Sequence, residues 1–424
     1  MNKRVLILTY YWPPAGGPGV QRWLKFATYL QEFNIDTVVF IPENPTYPII
    51  DESMLNEIPK GITVLKHPIF EPYGFAKVLS KKKTSQISSG IIQDKKQSFV
   101  ERVLLFIRGN FFIPDARKYW VKPSVKFLNT YLKEENIDTV ITTGPPHSVH
   151  LIGLQLKKKL NIKWLADFRD PWTTIGYHDQ LKLTASSQRK HKKLESDVLN
   201  NADGLIVTSF QTKNEFEAIT QRPISVITNG YEDMEVLDGA LDAKFTISHI
   251  GSLLSARNPE ILWQAIEELI IDDAEFANDV SIQIAGKVSE SVIQSMEDYG
   301  LVNHIKMLGY VSHQEARKLQ VKSQVLLLLE IDSEETKGII AGKLFEYLSA
   351  KRPILAIGPK GADIQKIIEE TKSGEFYAHQ QKQEIKDAIK KLYKKYKMGT
   401  LESESIHIDK YHRRNLTAKL AELL

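Results

Sequence analysis

Lys343 and Glu346 stand one helical turn apart within residues 338–357, GIIAGKLFEYLSAKRPILAI. At that spacing an ammonium and a carboxylate share one helix face. The first can meet phosphate oxygens there, and the second can accept both hydroxyls of a ribose. Gly338 and Gly342 let backbone N–H groups come close to an anion, and the helix that follows adds its positive end. Ile340, Leu344, Tyr347 and Leu348 form the opposite, apolar stripe. An ordinary helix with a surface Lys–Glu pair has the same local pattern. Two further turns bear on the choice. Gly251-Ser252 follows one apolar run, with Arg257 close behind, and Gly286-Lys287 follows another. Their N–H groups would complement a pyrophosphate, and Arg257 would be the counter-charge for a departing phosphate.

The front half carries a different constellation. After the first apolar run comes YYWPPAGGPG, in which Gly16 and Gly17 precede a helix opening with Gln21 and Arg22. So many special residues at a strand end suit a loop that meets a phosphate or an acceptor hydroxyl, against the plainer reading of a tight turn. It is no dinucleotide fingerprint, since G-x-G-x-x-G is missing. His147, at the end of ITTGPPH, is placed to hydrogen-bond a substrate or move a proton, or else to cap its own helix. His150 reads as structural. In DFRDPW, Arg169 pairs with an aspartate as scaffold, or Asp170 offers its carboxylate to an acceptor.

These residues fall at the ends of short aliphatic runs that alternate with amphipathic stretches, the pattern of βα units in a parallel sheet. Strands are expected near 4–9, 35–41, 62–66, 137–142, 163–167, 203–208 and 224–228. A second series follows near 245–250, 280–285, 305–308, 324–329 and 353–357. The expected fold is α/β, two doubly wound Rossmann-like domains facing across a cleft, with ligands at the carboxyl ends of the strands. Residues 1–232 form the first domain, 233–408 the second, and 409–424 a C-terminal helix returning to the first. Asn229-Gly230 and the acids after it mark the hinge, and residues 80–97 a loop.

At 424 residues the chain suits two cores rather than one. It has no cysteine, which excludes disulfides, thiolate metal sites and a cysteine nucleophile. MNKRVLIL is too short for a signal-peptide core and no apolar run of membrane-spanning length occurs, so a cytoplasmic protein is expected. Residues 1–200 hold 29 Lys and Arg against 18 Asp and Glu, whereas the remainder holds 27 against 34. The positive excess lies in residues 77–133, with 13 basic and 3 acidic side chains, Lys81, Lys82, Lys83, Lys95 and Lys96 among them. Phe99, Val100, Val103, Leu104, Phe106, Ile107, Phe111 and Phe112 are interleaved with that charge. Such a surface fits the inner, anionic face of a membrane, or a solvated charge run beside a core helix. No nucleic-acid motif or stacking platform accompanies it.

Taken together, the glycine loop at Gly16-Gly17, His147, Thr228-Asn229-Gly230 and residues 343–356 resemble the GT-B glycosyltransferases of family 4, over nearly the whole length. The resemblance implies a retaining transfer from a nucleotide sugar to a glycan or lipid-linked acceptor, as in cell-surface polysaccharide synthesis. It makes Glu346 the second glutamate of the family's E-x7-E motif, holding the donor ribose. The first position is Gly338, so Glu334, Glu335 or the Gly338 backbone would substitute for the missing carboxylate. Ser252 stands where the family has an arginine, which leaves Arg257 and Lys343 as the phosphate-neutralising pair. On this reading Arg257, Lys343 and His147 are catalytic. Gly251, Ser252, Gly286, Lys287, Gly338, Gly342 and Glu346 bind the donor, and Gly16, Gly17, Gln21, Arg22 and Asp170 the acceptor. No metal and no cofactor beyond the nucleotide sugar are expected. The alternatives are a nucleotide-sugar 2-epimerase of the same fold and a GT-B protein that binds without transfer.

Overall fold

The computed structural model describes residues 2–71, 99–174, 181–233 and 240–424, with side chains from residue 102 in the second stretch. The expected loop at 80–97, its lysine clusters and the last residues of the expected hinge lie outside the described residues. Contacts divide the chain into two units, residues 1–228 with 413–424, and residues 229–412.

The first unit is built on a seven-stranded sheet in the order β3-β2-β1-β4-β5-β6-β7. Its elements are β1 (Lys3–Thr9), α1 (Pro18–Leu30), β2 (Ile35–Pro42), β3 (Thr63–His67), α2 (Phe99–Phe111), α3 (Lys118–Glu134) and β4 (Thr139–Gly144). They continue with α4 (Ser148–Lys159), β5 (Lys163–Phe168), α5 (Ala185–Asn201), β6 (Gly204–Val207), α6 (Phe210–Glu217) and β7 (Ile224–Val226). All pairings are parallel. Strand side chains alternate between faces, so Leu6 and Leu8 enter one apolar cluster while Val5 and Ile7 enter the other. With both faces covered, β1 reads as a continuous apolar run. Leu416 and Leu420 of the C-terminal helix Arg413–Glu422 complete the second cluster beside α1.

Asp167, at the end of β5, is the polar centre of this unit and is fully buried. Its carboxylate accepts from Arg22 at 3.0 Å, from the Trp23 indole N–H at 2.9 Å and from the Thr143 hydroxyl at 2.7 Å. Arg22 also donates to the Thr228 carbonyl at 2.5 Å. One buried ion pair thus ties α1, β4, β5 and the end of the unit together.

The second unit carries a six-stranded sheet in the order β10-β9-β8-β11-β12-β13, again parallel throughout. It comprises β8 (Phe245–Ile250), α7 (Glu260–Asp272), α8 (Ala274–Asp279), β9 (Val280–Ala285), α9 (Glu290–Asp298), β10 (Ile305–Gly309) and α10 (His313–Lys322). Then come β11 (Val325–Leu329), α11 (Gly342–Ala350), β12 (Ile354–Gly358), α12 (Asp363–Thr371), β13 (Gly374–Ala378) and α13 (Lys382–Lys397). Val325, Leu327 and Leu329 face one cluster, Leu326 and Leu328 the other. β13 was not among the expected strands. GEFYA mixes polar and apolar residues on a partly exposed edge, so it lacks the apolar run that marks the central strands.

Strand order reverses between β1 and β4 in one unit and between β8 and β11 in the other. Crossover helices diverge to opposite faces at such points, leaving a crevice at the strand ends. The architecture is therefore the expected pair of doubly wound α/β units. Among the described residues no helix is long and apolar enough to cross a membrane.

Arg22→Met leaves Asp167 buried with only neutral donors. It is expected to destabilise the first unit by about 3–5 kcal/mol, read as a lower urea midpoint; an unchanged midpoint would contradict the pinning role.

Candidate functional site

In the first unit the glycine loop is strapped down by its own backbone. The Gly16 N–H donates to the Ile49 carbonyl at 3.1 Å, and the Asp51 N–H to Pro14 at 2.8 Å. Gly17 is the N-cap of α1 at φ 108°, a conformation that disfavours any side chain. Gln21 is half-buried, and its amide oxygen accepts from Arg413 of the C-terminal helix at 3.2 Å. Arg22, expected to reach an acceptor, instead spends its guanidinium inside the unit on Asp167 and Thr228. Charge drawn into the core to satisfy a buried carboxylate cannot also face a ligand.

His147 precedes α4 at 5% exposure, its ring stacked on Trp172 at 4.7 Å between centroids with the two planes nearly parallel. It is less open than a strand-tip histidine was expected to be. His150 is wholly buried, pairs with the Thr142 hydroxyl at 2.9 Å and stacks on Phe168, a structural role. Arg169 donates to the carbonyls of Gly144 and Pro145 rather than to an aspartate, while Asp170 is exposed.

In the second unit the structure brings the donor-side residues together where β8 and β11 end. Gly251 follows β8 at φ 136°, Gly286 follows β9 at φ 128°, and their turns sit back to back. A Cβ on Gly286 would come within 2.6 Å of the Gly251 carbonyl, and one on Gly251 within 2.6 Å of the Lys343 Nζ. Both positions therefore require glycine, for backbone angle and for space. The Gly251 N–H donates to Ala285, and the Lys287 carbonyl accepts from Leu253, while the Lys287 side chain is exposed. Arg257 lies in a short 3₁₀ turn, Ser255–Arg257, and reaches Glu330 Oε2 at 3.4 Å.

α11 holds its position through Tyr347, whose buried hydroxyl accepts from the Ile250 N–H at 3.0 Å, and through Leu344, Phe345 and Leu348 in the core. This docking is the apolar stripe expected from the sequence, and it aims Lys343 at the ends of β8 and β11. The N-cap Ala341 has no side-chain acceptor for the first N–H groups of the helix, which begins at exposed Gly342. Lys343 Nζ lies 3.4 Å from His249 Nε2, and His249 Nδ1 lies 3.0 Å from the Leu327 carbonyl. That carbonyl assigns the ring proton to Nδ1, leaving Nε2 to accept from the lysine. Glu346, one turn on, is partly exposed, accepts from Gln320 at 2.8 Å and sits 3.7 Å from His313. Gly338 lies in the turn before α11, and Glu334 points to solvent in a pair with Lys337.

Burial sets the protonation states. Desolvation, then the charge of Lys343, pushes His249 down to about 3, so it is a neutral acceptor. Desolvation, with Arg257 next, lowers Lys343 to about 8, and desolvation raises Glu330 above the usual carboxylate range. Sequence reasoning missed His249, Glu330 and Gln320. Glu330 carried a signal, an acid directly after the run VLLLL, as Asp167 does inside its own strand. The other two had none, because an isolated polar residue in an element acquires a role only from its neighbours. Among the described residues no group of three or more His, Asp or Glu is placed to hold a metal ion.

Residues 244–395, which span this cluster, match the family of glycosyl transferases group 1. Solved structures resemble the whole chain. A glycosyltransferase from Rickettsia africae is 13% identical with a TM-score of 0.62, covering 100% of this chain and 97% of its own. WaaG, a glycosyltransferase involved in lipopolysaccharide biosynthesis, is 13% identical with a TM-score of 0.57, covering 99% of each chain. Anabaena Alr3699/HepE in complex with UDP-glucose is 12% identical with a TM-score of 0.57, covering 99% of this chain and 98% of its own. No curated protein matches the sequence. At such identities the likeness establishes the fold, and it bears out the expected resemblance to GT-B glycosyltransferases.

Two buried histidines make stability sensitive to acid. Burial also lowers His150 to about 3, whereas the unfolded imidazole titrates near about 6.5. Stability is complete above that value and falls as pH drops toward the folded pKa, because only the unfolded chain gains protons. By about pH 5 each histidine is expected to cost about 2 kcal/mol, seen as a falling urea midpoint. His249→Gln should remove part of the slope, and an unchanged slope would speak against a neutral, buried imidazole there.

Proposed function

We propose that this protein is a retaining glycosyltransferase that moves a sugar from a nucleotide sugar to a glycan or lipid-linked acceptor in cell-surface polysaccharide synthesis. The observation that carries the reading is Lys343 set against the Gly251 turn, with Arg257 in the 3₁₀ turn that follows it, inside the stretch that matches the glycosyl transferases. Two cations beside N–H groups in a partly dry crevice suit a diphosphate better than a neutral ligand. WaaG and HepE are named for lipopolysaccharide synthesis and for a bound UDP-sugar respectively, which supports the substrate class.

In the reaction the bond between the sugar's anomeric carbon and the β-phosphate oxygen breaks as an acceptor hydroxyl attacks, and negative charge collects on the departing phosphate. Arg257, Lys343 and the N–H groups at Ser252 and Gly342 neutralise that charge. A phosphate oxygen takes the acceptor proton, so little side-chain base is required. Glu346 holds the ribose, kept in place by Gln320 and His313. His249 holds the lysine on its other side. Arg257 and Lys343 do the work a divalent cation does elsewhere. Product analysis separates this reading from an epimerase: released nucleotide plus a glycoside, against an isomerised donor.

The acceptor side is proposed to work against the inner face of a cell membrane. α2 exposes Val103, Leu104, Phe106, Ile107 and Phe111, and Lys122 and Lys126 are exposed on α3. An anionic lipid surface attracts such a surface by charge and holds it by shallow insertion.

In a thermal-shift panel of nucleoside diphosphates and nucleotide sugars, at least one compound should raise the unfolding temperature of the protein. Lys343→Ala and Glu346→Ala should each cut transfer by about 10²- to 10³-fold with unfolding temperature preserved, and full turnover by both would end the assignment. In liposome flotation the protein should rise with anionic vesicles at low salt and stay down with neutral ones; no flotation at all removes the membrane reading alone.

A further inference from the structure

Glu330 is the least accounted-for charge in the second unit. It follows β11, where its N–H continues the ladder to the Ile357 carbonyl at 2.9 Å, so its backbone is part of the sheet. Its side chain is 3% exposed at the strand end where β8 lies on one side and β12 on the other. Oε2 meets Arg257 at 3.4 Å, a long contact, and Oε1 is buried without a hydrogen-bond donor. A carboxylate in that state is costly, and a purely structural one would be expected to gather N–H groups as Asp167 does. Among the described residues that one long bond from Arg257 is all that quenches it, and its charge bears on Lys343 as well.

We propose that Glu330 is a positioning residue, the counter-charge that keeps Lys343 protonated and Arg257 aimed at the site before a diphosphate arrives. The groups that face Lys343 are His249 from β8, Arg257 from the following turn, Glu330 from β11, and Glu346 on its own helix. Burial and Arg257 both drive the proton off the lysine, while Glu330 and then Glu346 hold it on. His249 is neutral and only orients the amine. Glu346 already accepts from Gln320, which leaves Glu330 as the principal anion of the cluster. When the diphosphate binds, its oxygens take over as counter-charge, and the lysine enters that encounter as an ammonium rather than a free amine. The inference rests on the proposed diphosphate site only for this last step.

The test follows the lysine itself. Whole protein is labelled with trace acetic anhydride from about pH 6 to about pH 10, and the reactivity of Lys343 is read by mass spectrometry against surface lysines. The wild-type midpoint is expected at about 8. In Glu330→Gln it should fall by about one unit or more, while Glu330→Asp should keep it near the wild-type value. Should the glutamine variant fail to fold, Glu330→Met fills the same space without a polar group, and the same fall is expected. Equal midpoints in wild type and variants would overturn the proposal, since a protonated or merely structural Glu330 would leave the lysine unmoved. UDP binding followed over the same range should lose affinity at lower pH in the glutamine variant. If wild type binds neither UDP nor another nucleoside diphosphate, the site reading fails while the labelling result stands by itself.

Discussion

Two like charges brought near one another at a half-buried strand end are the constraint around which the second unit is arranged. Arg257 and Lys343 repel one another, and the burial of the lysine already weakens its hold on a proton. Such a pair persists only if something anionic stands nearby and every other contact is neutral or an acceptor. Glu330 is the anion within the sheet, and His249 is kept uncharged by its burial. Glu346 on the helix adds a second, partly exposed carboxylate, so two cations stand against two anions around this strand end.

The sheet provides the rigidity that this arrangement needs. β8 and β11 are adjacent at the point where strand order reverses, so the residues following them emerge side by side without a helix between them. Tyr347 fastens α11 to the end of β8, which fixes the approach of Lys343. Gly251 and Gly286 let the turns close so tightly that the lysine amine rests where a methyl group would otherwise stand. The first unit uses buried charge differently. Asp167 is saturated by Arg22, Trp23 and Thr143, so its ion pair is scaffold and leaves nothing over for a ligand.

Much of the fold was legible because a buried parallel strand must be apolar on both faces, and such runs stand out. β1, β11 and β12 announce themselves in this way, whereas β13 does not, since an edge strand carries mixed residues. The apolar stripe of α11 was legible for the same reason, as it faces the core on one side only. The roles of Arg22 and His147 were not. An arginine at a helix start and a histidine at a strand tip look alike whether they face solvent or the interior, and only the packing of Asp167 and Trp172 decides.

Sequence by itself determined the period of its apolar residues, the positions where glycine interrupts them and the charges that follow strand ends. Those features are local, and they were enough for two doubly wound sheets with Lys343 and Glu346 on one helix face. Tertiary structure alone decided which charges meet. Residues 249 and 257 come from one segment and 330 and 343 from another far along the chain, and the charge states of His249, Glu330 and Lys343 depend on the distances between them and on the water displaced. No local pattern encodes either quantity, because both arise only when separate strands are laid side by side.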